Sequence, residues 1–300
     1  MEYTDIHSQH QRTHHRRRPR RIRLHRDQRP RTPLALLPRR NQRHRQSRHE
    51  VQRQFGVPLD AENPLDVEAA YQFNNAEIGV LANPIFLGKD YPEQFKLAVP
   101  DYIPLTPEDL AYMANTSEYF AVDAYTTTIV SAPPDGITNC SLTGPSHPLY
   151  PQCVVQQSTT IDGWNVGYKA KTFPYITPTY LRAYLNWGWN TYRKPVFVTE
   201  YGFSVPHEVE LPVSEQLFDS ARSQYYLSFL EAMLQAIWED HVHVLGALAW
   251  CFADNWEWGD FSSTYGLQYV YRTTQERRYR KSFFDMMDYS NTRTTHVGSD

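Results

Sequence analysis

The feature that most constrains the fold is an apolar run that stops abruptly at a carboxylate. Residues 195–202 read Pro-Val-Phe-Val-Thr-Glu-Tyr-Gly. An uninterrupted run of this kind is typical of a parallel strand that is buried on both faces. Glu200 lies where that strand meets its loop, and a poorly solvated carboxylate needs a compensating partner. An ordinary ion pair or turn would also explain it, so this run predicts the strand and leaves the role of Glu200 open.

A second short apolar strand runs into a loop that is dense in tryptophan and carboxylates. Residues 247–258 read Ala-Leu-Ala-Trp-Cys-Phe-Ala-Asp-Asn-Trp-Glu-Trp. Aromatic planes beside carboxylates suit a sugar ring, because the C–H face of the ring stacks while its hydroxyl groups need acceptors. In isolation, Trp250, Glu257 and Trp258 would each more often be core or surface residues. Their order after an apolar strand favours a sugar site.

Together the two stretches resemble the family 1 glycoside hydrolases, which are retaining β-glycosidases with a (β/α)8 barrel. The family's nucleophile motif has the form Ile/Val-Thr-Glu-Asn-Gly, and its last strand reads Trp-Ser-Leu-x-Asp-Asn-Phe-Glu-Trp. The resemblance extends upstream to residues 66–70 and 83–92 and covers roughly residues 55–289. It implies a hydrolase of the β-glucosidase type that acts on a β-glucoside or a related small glycoside, with no cofactor and no metal.

The resemblance gives three residues a role around the reacting carbon. Glu200 falls on the nucleophile, although Tyr201 follows it where the family usually has asparagine. Tyr125 falls on a tyrosine that hydrogen-bonds and orients the nucleophile, and the alternative is an ordinary aromatic at the end of a strand. Asp123 stands where the family usually has asparagine, and we expect it to be one of the substrate-binding residues. A second carboxylate there would raise the pKa of Glu200 and impair the site.

The resemblance also places three residues on the sugar and leaves one function unfilled. Trp250 matches the sugar platform, Glu257 the carboxylate on the O4/O6 side of the glycosyl unit, and Trp258 its aromatic neighbour. The family's acid/base lies in a Thr-x-Asn-Glu-Pro motif, and no Asn-Glu-Pro occurs in this chain. We therefore expect a truncated β-glycosidase that lacks its acid/base. The alternative is a catalytically inactive sugar-binding or interaction remnant.

The order of predicted elements indicates an α/β protein with an incomplete (β/α)8 TIM barrel, about strands five to eight, over residues 55–300. Strands are predicted near residue 120, at 195–199 and at 246–250, with a fourth just before Val57, and helices alternate with them. Ser214 is predicted to cap a long helix with a buried stripe of Phe218, Ala221, Tyr225, Phe229, Met233 and Ile237. An incomplete barrel has open strand edges, which predicts self-association.

Residues 1–54 differ in kind from the rest of the chain. The first 50 residues hold 15 arginines, no lysine and 4 acidic residues, whereas residues 51–300 hold 15 basic and 29 acidic residues. This Arg/His-rich segment is predicted to be disordered. A nucleic-acid arm and a transit peptide are alternatives, but a mispredicted or frame-shifted start is favoured, because so many arginines without lysine suggest codon bias.

The sequence does not determine the compartment of the protein or the oxidation state of its cysteines. No signal peptide or transmembrane segment is recognised, which slightly favours the cytoplasm, and neither membrane nor nucleic-acid partners are expected. Cys140 and Cys153 lie in one polar segment and would form a disulfide if the protein is secreted. Residues 131–175, which contain them, are too long for an ordinary connection and are predicted to be an active-site loop.

Overall fold

The computed structural model describes residues 55–99, 101–257 and 259–293. The predictions for residues 1–54 and for Trp258 fall outside these described residues. Within the described ranges, none of the helices combines the length and the apolar content that crossing a bilayer requires.

Strands and helices alternate along the chain. The strands are β1 Phe55–Pro58, β2 Phe120–Asp123, β3 Thr127–Ser131, β4 Val155–Gln157, β5 Val196–Tyr201, β6 Val244–Ala249, β7 Gln268–Val270 and β8 Arg277–Tyr279. The helices are α1 Pro64–Asn74, α2 Val80–Ala82, α3 Glu93–Ala98, α4 Pro107–Met113, α5 Ile137–Thr143, α6 Pro178–Tyr192, α7 Val213–Gln216, α8 Ser220–Trp238 and α9 Lys281–Arg293. Two π-helical segments, Asn75–Gly79 and Asn83–Leu87, flank α2. The strands predicted from the apolar runs are all present, and the fourth begins at Phe55.

The strand that ends in the Glu200 loop is the centre of a parallel sheet. Its order is β2-β5-β6, and both pairs are parallel. Helix α6 connects towards β5 and helix α8 connects β5 to β6, so the strands form the right kind of unit for an α/β barrel. A second sheet has the order β1-β3-β4, in which β1 and β3 are parallel and β4 is antiparallel. Residues 124–126 separate β2 from β3 and therefore lead from one sheet to the other.

The central sheet is buried on the face that packs against the helices. Val196 and Val198 are fully buried in a core that also contains Leu185 of α6 and Phe229 of α8. Burying a side chain of this size stabilises the fold by roughly 1.5–3 kcal/mol. On the strip of β6 that does not pack on this core, Leu245 and Leu248 are 52% and 55% exposed. Packing of this sheet against α6 and α8 thus holds the carboxyl ends of β2, β5 and β6 side by side.

Helix α8 begins later than the sequence pattern predicts. The short α7 precedes a break, and Phe218 lies in that break with 67% of its surface exposed. The carboxylate of Asp219 binds Arg222 and the backbone and hydroxyl of Ser282, so it fixes the break in place. The predicted stripe is correct for Tyr225, Phe229 and Met233, but Ala221 and Ile237 are only half-buried.

The long excursion after β3 is folded rather than open. It contains α5 and β4, and a disulfide joins Cys140 to Cys153. Cys140 and Cys153 are buried in a small core of their own, next to Phe73 of α1. At its far end the ring of Phe173 packs against Tyr125 with ring centroids 5.5 Å apart. The excursion therefore contacts the end of β2, where the predicted site begins.

Candidate active site

The carboxyl ends of β2 and β5 bring a tyrosine hydroxyl onto a carboxylate. Tyr125 follows β2 and Glu200 lies near the end of β5, 75 residues further along the chain. The Tyr125 hydroxyl donates a hydrogen bond to Oε2 of Glu200 at 2.7 Å. Backbone hydrogen bonding between the ends of β2 and β5 keeps the two side chains close, because the N–H of Ala124 donates to the carbonyl of Glu200 at 2.7 Å.

Three influences act on the Glu200 carboxylate. Burial disfavours its charged form and raises its pKa, the hydrogen bond from Tyr125 lowers it, and the charge of Asp123 raises it again. The net result is a pKa above the ordinary value for glutamate. Burial and the hydrogen bond to Glu200 also raise the pKa of Tyr125, which keeps its hydroxyl protonated and able to donate. Glu200 is therefore an oriented carboxylate in a partly dry site.

Asp123 is the register partner of Glu200 on the neighbouring strand. It is exposed, and its Oδ1 accepts a hydrogen bond from the hydroxyl of Thr199 at 2.8 Å. Thr199 was not singled out as a site residue from the sequence. Its hydroxyl donor holds a second carboxylate near the first, which explains the unfavourable effect of Asp123 on the charge of Glu200.

The end of β6 adds a tryptophan and a third carboxylate. The indole Nε1 of Trp250 donates to Oε1 of Glu257 at 2.9 Å. Glu257 is buried, and burial together with the charge of Glu200 raises its pKa, although the bond from Trp250 acts in the opposite direction. The end of β6 therefore lies within the electrostatic influence of Glu200 at the end of β5. Trp256 beside them is exposed.

Two buried tyrosines of α8 tie the strand ends together. The backbone N–H of Gly202 donates to the Tyr225 hydroxyl at 3.2 Å, and that hydroxyl donates to the carbonyl of Tyr125 at 3.0 Å. The Tyr226 hydroxyl donates to the carbonyl of Trp250 at 2.9 Å. The sequence predicted Tyr225 only as part of an apolar stripe. A helical pattern shows that such a residue points inward but not which backbone groups it reaches.

Gly202 permits the close approach of β5 and β6. A Cβ atom at this position would lie 1.9 Å from the backbone carbonyl oxygen of Trp250. We expect Gly202→Ala to displace the Trp250 loop and to lower the free energy of unfolding by several kcal/mol, since backbone atoms cannot move aside as a flexible side chain can. Chemical denaturation monitored by tryptophan fluorescence measures the effect.

Gly246 provides the matched control for this prediction. A Cβ at Gly246 would lie 3.4 Å from the Phe197 ring, which is ordinary contact. Gly246→Ala should therefore unfold at a denaturant concentration close to that of the unmodified chain. Equal stability of the two variants would show that the Trp250 carbonyl is not held against Gly202.

A buried network of charges lies behind the loops that carry the site. The Arg222 guanidinium binds both carboxylate oxygens of Glu208 at 2.7 and 3.1 Å, and it also binds Asp219. Arg280 binds both oxygens of Asp254 at 2.9 and 3.0 Å. Both arginine side chains are fully buried. Burial alone would raise the pKa of Glu208, but the charges of Arg222 and Arg280 outweigh it and hold that pKa below its usual value.

This network fixes the path of the chain on both sides of the site. Arg222 donates to the carbonyls of Phe203 and Thr264 at 2.9 and 2.8 Å, and Asp254 accepts from the N–H of Gly266 at 3.0 Å. Sequence reasoning missed both arginines as supporting residues. The available signal was Arg222, a charged residue within the helix that carries the predicted apolar stripe, whereas Arg280 follows Arg277 and Arg278 and gave no such signal.

The parallel strands, the helices that connect them and the carboxylates at the strand ends place this chain in the class of α/β-barrel proteins. A family model described as glycosyl hydrolase family 1 matches residues 44–292. The chain therefore belongs to glycosyl hydrolase family 1. This confirms the resemblance that the two motifs predicted.

The relatives are longer than this chain. Beta-glucosidase 1B of Phanerodontia chrysosporium is 34% identical over 227 residues, which are 74% of this chain and 39% of that protein. The crystal structure of beta-glucosidase 2 from the fungus Trichoderma reesei in complex with Tris has a TM-score of 0.72 and 28% identity, covering 80% of this chain and 50% of that one. A family 1 beta-glucosidase from the fungus Humicola insolens in complex with glucose has a TM-score of 0.71 and 26% identity. This chain thus spans about two fifths to half of the relatives it matches, and the predicted incomplete barrel is confirmed.

Proposed function

We propose that this chain carries the nucleophile side of a retaining β-glycosidase and binds a β-glucoside or a related small glycoside. The observation that carries the proposal is the hydrogen bond from Tyr125 to Glu200 at the carboxyl end of a parallel strand. Membership of glycosyl hydrolase family 1 and the beta-glucosidases among its relatives support the choice of substrate class.

In the proposed reaction, the ionised carboxylate of Glu200 attacks the anomeric carbon of the sugar. A bond forms between that carbon and a carboxylate oxygen while the bond to the leaving oxygen breaks, and the leaving group departs with the electron pair. Tyr125 holds the carboxylate in position. Trp250 offers its ring to the face of the sugar, and Glu257 accepts hydrogen bonds from sugar hydroxyl groups. Water then attacks the anomeric carbon, the bond from that carbon to Glu200 breaks and restores the carboxylate, and a proton passes from the water to solvent as the sugar is released.

A retaining glycosidase also needs a second carboxyl group that protonates the leaving oxygen and later activates water. We assign that role to none of Asp123, Glu200 and Glu257. Asp123 and Glu257 already have partners in Thr199 and Trp250, and neither stands in an Asn-Glu-Pro sequence. The proposal is therefore a site that can form the covalent intermediate but receives no acid assistance.

The experiment that tests this proposal is covalent labelling. A 2-deoxy-2-fluoro β-glucosyl fluoride should add one fluoroglucosyl group to the chain, and peptide mass spectrometry should place it on Glu200. Glu210→Ala, which removes an exposed carboxylate outside the site, should label as the unmodified chain does. Absence of the adduct, or an adduct that persists in Glu200→Ala, would contradict the assignment.

The alternative is a sugar-binding protein without catalysis, and one observation favours it. The raised pKa of Glu200, to which Asp123 contributes, increases the fraction of the protonated and unreactive carboxyl group. Trp250 and Glu257 would still bind a sugar. Saturable glucose binding measured by tryptophan fluorescence, without any labelling of Glu200, would identify this function instead.

The pH dependence of labelling should move in opposite directions in two variants. Only ionised Glu200 reacts, so the rate rises as the pH passes through its pKa. Asp123→Asn removes a negative charge that raises this pKa, and the acidic limb should move to lower pH. Tyr125→Phe removes a hydrogen bond that lowers the pKa, and the limb should move to higher pH. Labelling rates measured across the acid range check both shifts, and a common direction would refute the attribution.

A further inference from the structure

The hydroxyl that meets Glu200 belongs to a side chain that no strand orients. Tyr125 lies in residues 124–126, between β2 and β3, and is part of neither strand. A tyrosine side chain can adopt several staggered positions, and few of them bring its hydroxyl to a given acceptor. The 2.7 Å bond from Tyr125 to Oε2 of Glu200 therefore depends on what holds the ring.

Two aromatic rings pack against the ring of Tyr125. The centroid of Phe173 lies 5.5 Å from it at an interplanar angle of 64°, and that of Tyr265 lies 6.1 Å from it at 81°. Both are edge-to-face arrangements, which the charge distribution of aromatic rings favours. Phe173 belongs to the excursion after β3 and Tyr265 to the loop after β6. Two parts of the chain that are distant in sequence thus contact this one ring.

A series of hydroxyl groups joins these two parts. The Tyr265 hydroxyl shares a hydrogen bond of 2.5 Å with Oγ1 of Thr172, the residue directly before Phe173. Oγ1 of Thr172 in turn lies 3.1 Å from Oγ of Ser204. Tyr265 and Ser204 are buried, and burial raises the pKa of Tyr265 to about 12, so its hydroxyl stays protonated. These bonds fix Phe173 relative to Tyr265.

Backbone hydrogen bonds hold Phe173 from both sides. The N–H of Lys171 donates to the carbonyl of Ser204 at 2.9 Å, which attaches the excursion to the chain just after β5. The N–H of Tyr175 donates to Oγ1 of Thr126 at 3.1 Å. Thr126 directly follows the tyrosine that Phe173 contacts, so the ring of Phe173 has a fixed place beside it.

Tyr265 is located by both neighbouring strand ends. Its carbonyl accepts a hydrogen bond from the N–H of Cys251, just after β6, at 3.4 Å. A Cβ atom at Gly202 would lie 3.2 Å from Cδ1 of Tyr265, so this ring lies against the backbone two residues after Glu200. The position of Tyr265 is therefore set by the ends of β5 and β6 together.

We propose that Phe173 and Tyr265 are positioning residues that hold the Tyr125 hydroxyl on Glu200. They act through Tyr125 and not on the sugar. The inference deepens the proposed function and rests on the role given there to Glu200. Two rings that only filled the core would stabilise the chain, but they would not change the charge state of Glu200 through the Tyr125 hydroxyl. This difference makes the proposal testable.

The expected effect on Glu200 has a definite sign. The hydrogen bond from Tyr125 lowers the pKa of Glu200, so a ring that turns away raises it. The other charged groups that interact with Glu200 are Asp123 on β2 and Glu257 after β6. Variants of Phe173 leave both of these in place, and a shift can then be attributed to the hydroxyl.

The first test is an NMR titration of the full chain labelled with ¹³C at its glutamate carboxyl carbons, in which Glu200→Gln identifies the signal. Phe173→Leu and Tyr265→Leu should each raise the pKa of Glu200, as Tyr125→Phe does. Tyr265→Phe keeps the ring and should cause a smaller rise than Tyr265→Leu. An unchanged pKa in both leucine variants would overturn the proposal.

Phe95→Leu is the matched control. It removes an aromatic ring of α3 that packs against Tyr91, with centroids 4.7 Å apart, in place of Tyr125. The pKa of Glu200 should be the same in this variant as in the unmodified chain. A rise equal to that in Phe173→Leu would show that loss of any ring has this effect.

A double variant shows whether the effect passes through the hydroxyl. In the Tyr125→Phe background, Phe173→Leu should not shift the pKa of Glu200 further, because no hydroxyl remains to be positioned. A shift of equal size in both backgrounds would come from altered burial and would refute the inference. Phe173 is only half-buried, so its variants serve the test even if Tyr265→Leu does not fold.

Labelling with the 2-deoxy-2-fluoro β-glucosyl fluoride separates this inference from the proposed function. Phe173→Leu should slow the labelling of Glu200 at least ~10-fold at a pH where the carboxylate is ionised, because the nucleophile loses its orientation. An unchanged rate would contradict the positioning role. If the unmodified chain forms no adduct, the proposed reaction is wrong, whereas the titration still decides whether Phe173 and Tyr265 position Tyr125.

Discussion

An activated aryl β-glucoside should react with Glu200, whereas cellobiose should remain uncleaved. A good leaving group such as dinitrophenolate departs without a proton, but the sugar alcohol that leaves cellobiose does not. General acid assistance typically contributes about 10²–10⁴-fold to the rate. The hydrogen bond from Tyr125 orients Glu200, the carboxylate that we propose as the nucleophile, and we assign no acid. Dinitrophenyl β-glucoside should therefore give a burst of one phenolate per chain followed by slow turnover.

Azide separates the two steps of this reaction. The acid/base group that our proposal does not assign would also activate water, so we expect hydrolysis of the glycosyl-enzyme to be slow. Azide needs no base, and it should accelerate turnover and yield a β-glucosyl azide. The measurement is the rate of phenolate release with and without azide, beside glucose release from cellobiose. Glu200→Ala should abolish the burst, and Glu210→Ala should not. Cleavage of cellobiose at an ordinary enzymatic rate would show that the chain contains an acid that we have not assigned.

Replacing Arg222 with leucine should lower the free energy of unfolding by about 3–5 kcal/mol. The guanidinium is fully buried against Glu208 and Asp219 and also donates to two backbone carbonyls. Without it, two buried carboxylates lose their principal counter-charge, and the Phe203 and Thr264 carbonyls lose a donor. Because Phe203 lies shortly after Glu200 in the chain, the labelling of Glu200 should also slow. Denaturant titration and labelling kinetics measure the two effects.

Arg182→Leu is the matched control for this prediction. Arg182 also binds two carboxylates, those of Glu239 and Asp240, but the three side chains are 22–57% exposed, whereas those around Arg222 are buried. Ion pairs that water reaches contribute less to stability because water and salt screen them. This variant should unfold close to the unmodified chain and label normally. If the two arginine variants are destabilised equally, burial of the network is not what makes Arg222 important.

The sequence determined the elements that carry the chemistry. The apolar run at 195–199 predicted β5, because a long β-branched stretch has no stable place except a buried strand. The motif around Glu200 and the Trp-rich loop predicted the family, which the match over residues 44–292 confirms. Thr106 caps α4 and Pro107 is its first residue, and both preferences depend on neighbouring residues only. Such features are local, and a single sequence records them directly.

The tertiary structure decided which distant groups meet. No spacing could show that Tyr225 would join Gly202 to Tyr125, or that Asp219 would delay the start of α8 by binding Ser282. Arg222 lies at a buried position of α8, where a charged side chain is stable only if it is paired. The buried carboxylates of Glu208 and Asp219 provide that pairing. The same holds for β1, where the amide of Asn74, 18 residues away in the sequence, binds both backbone groups of Gly56. Burial makes such contacts strong, and burial is a property of the assembled chain rather than of any segment.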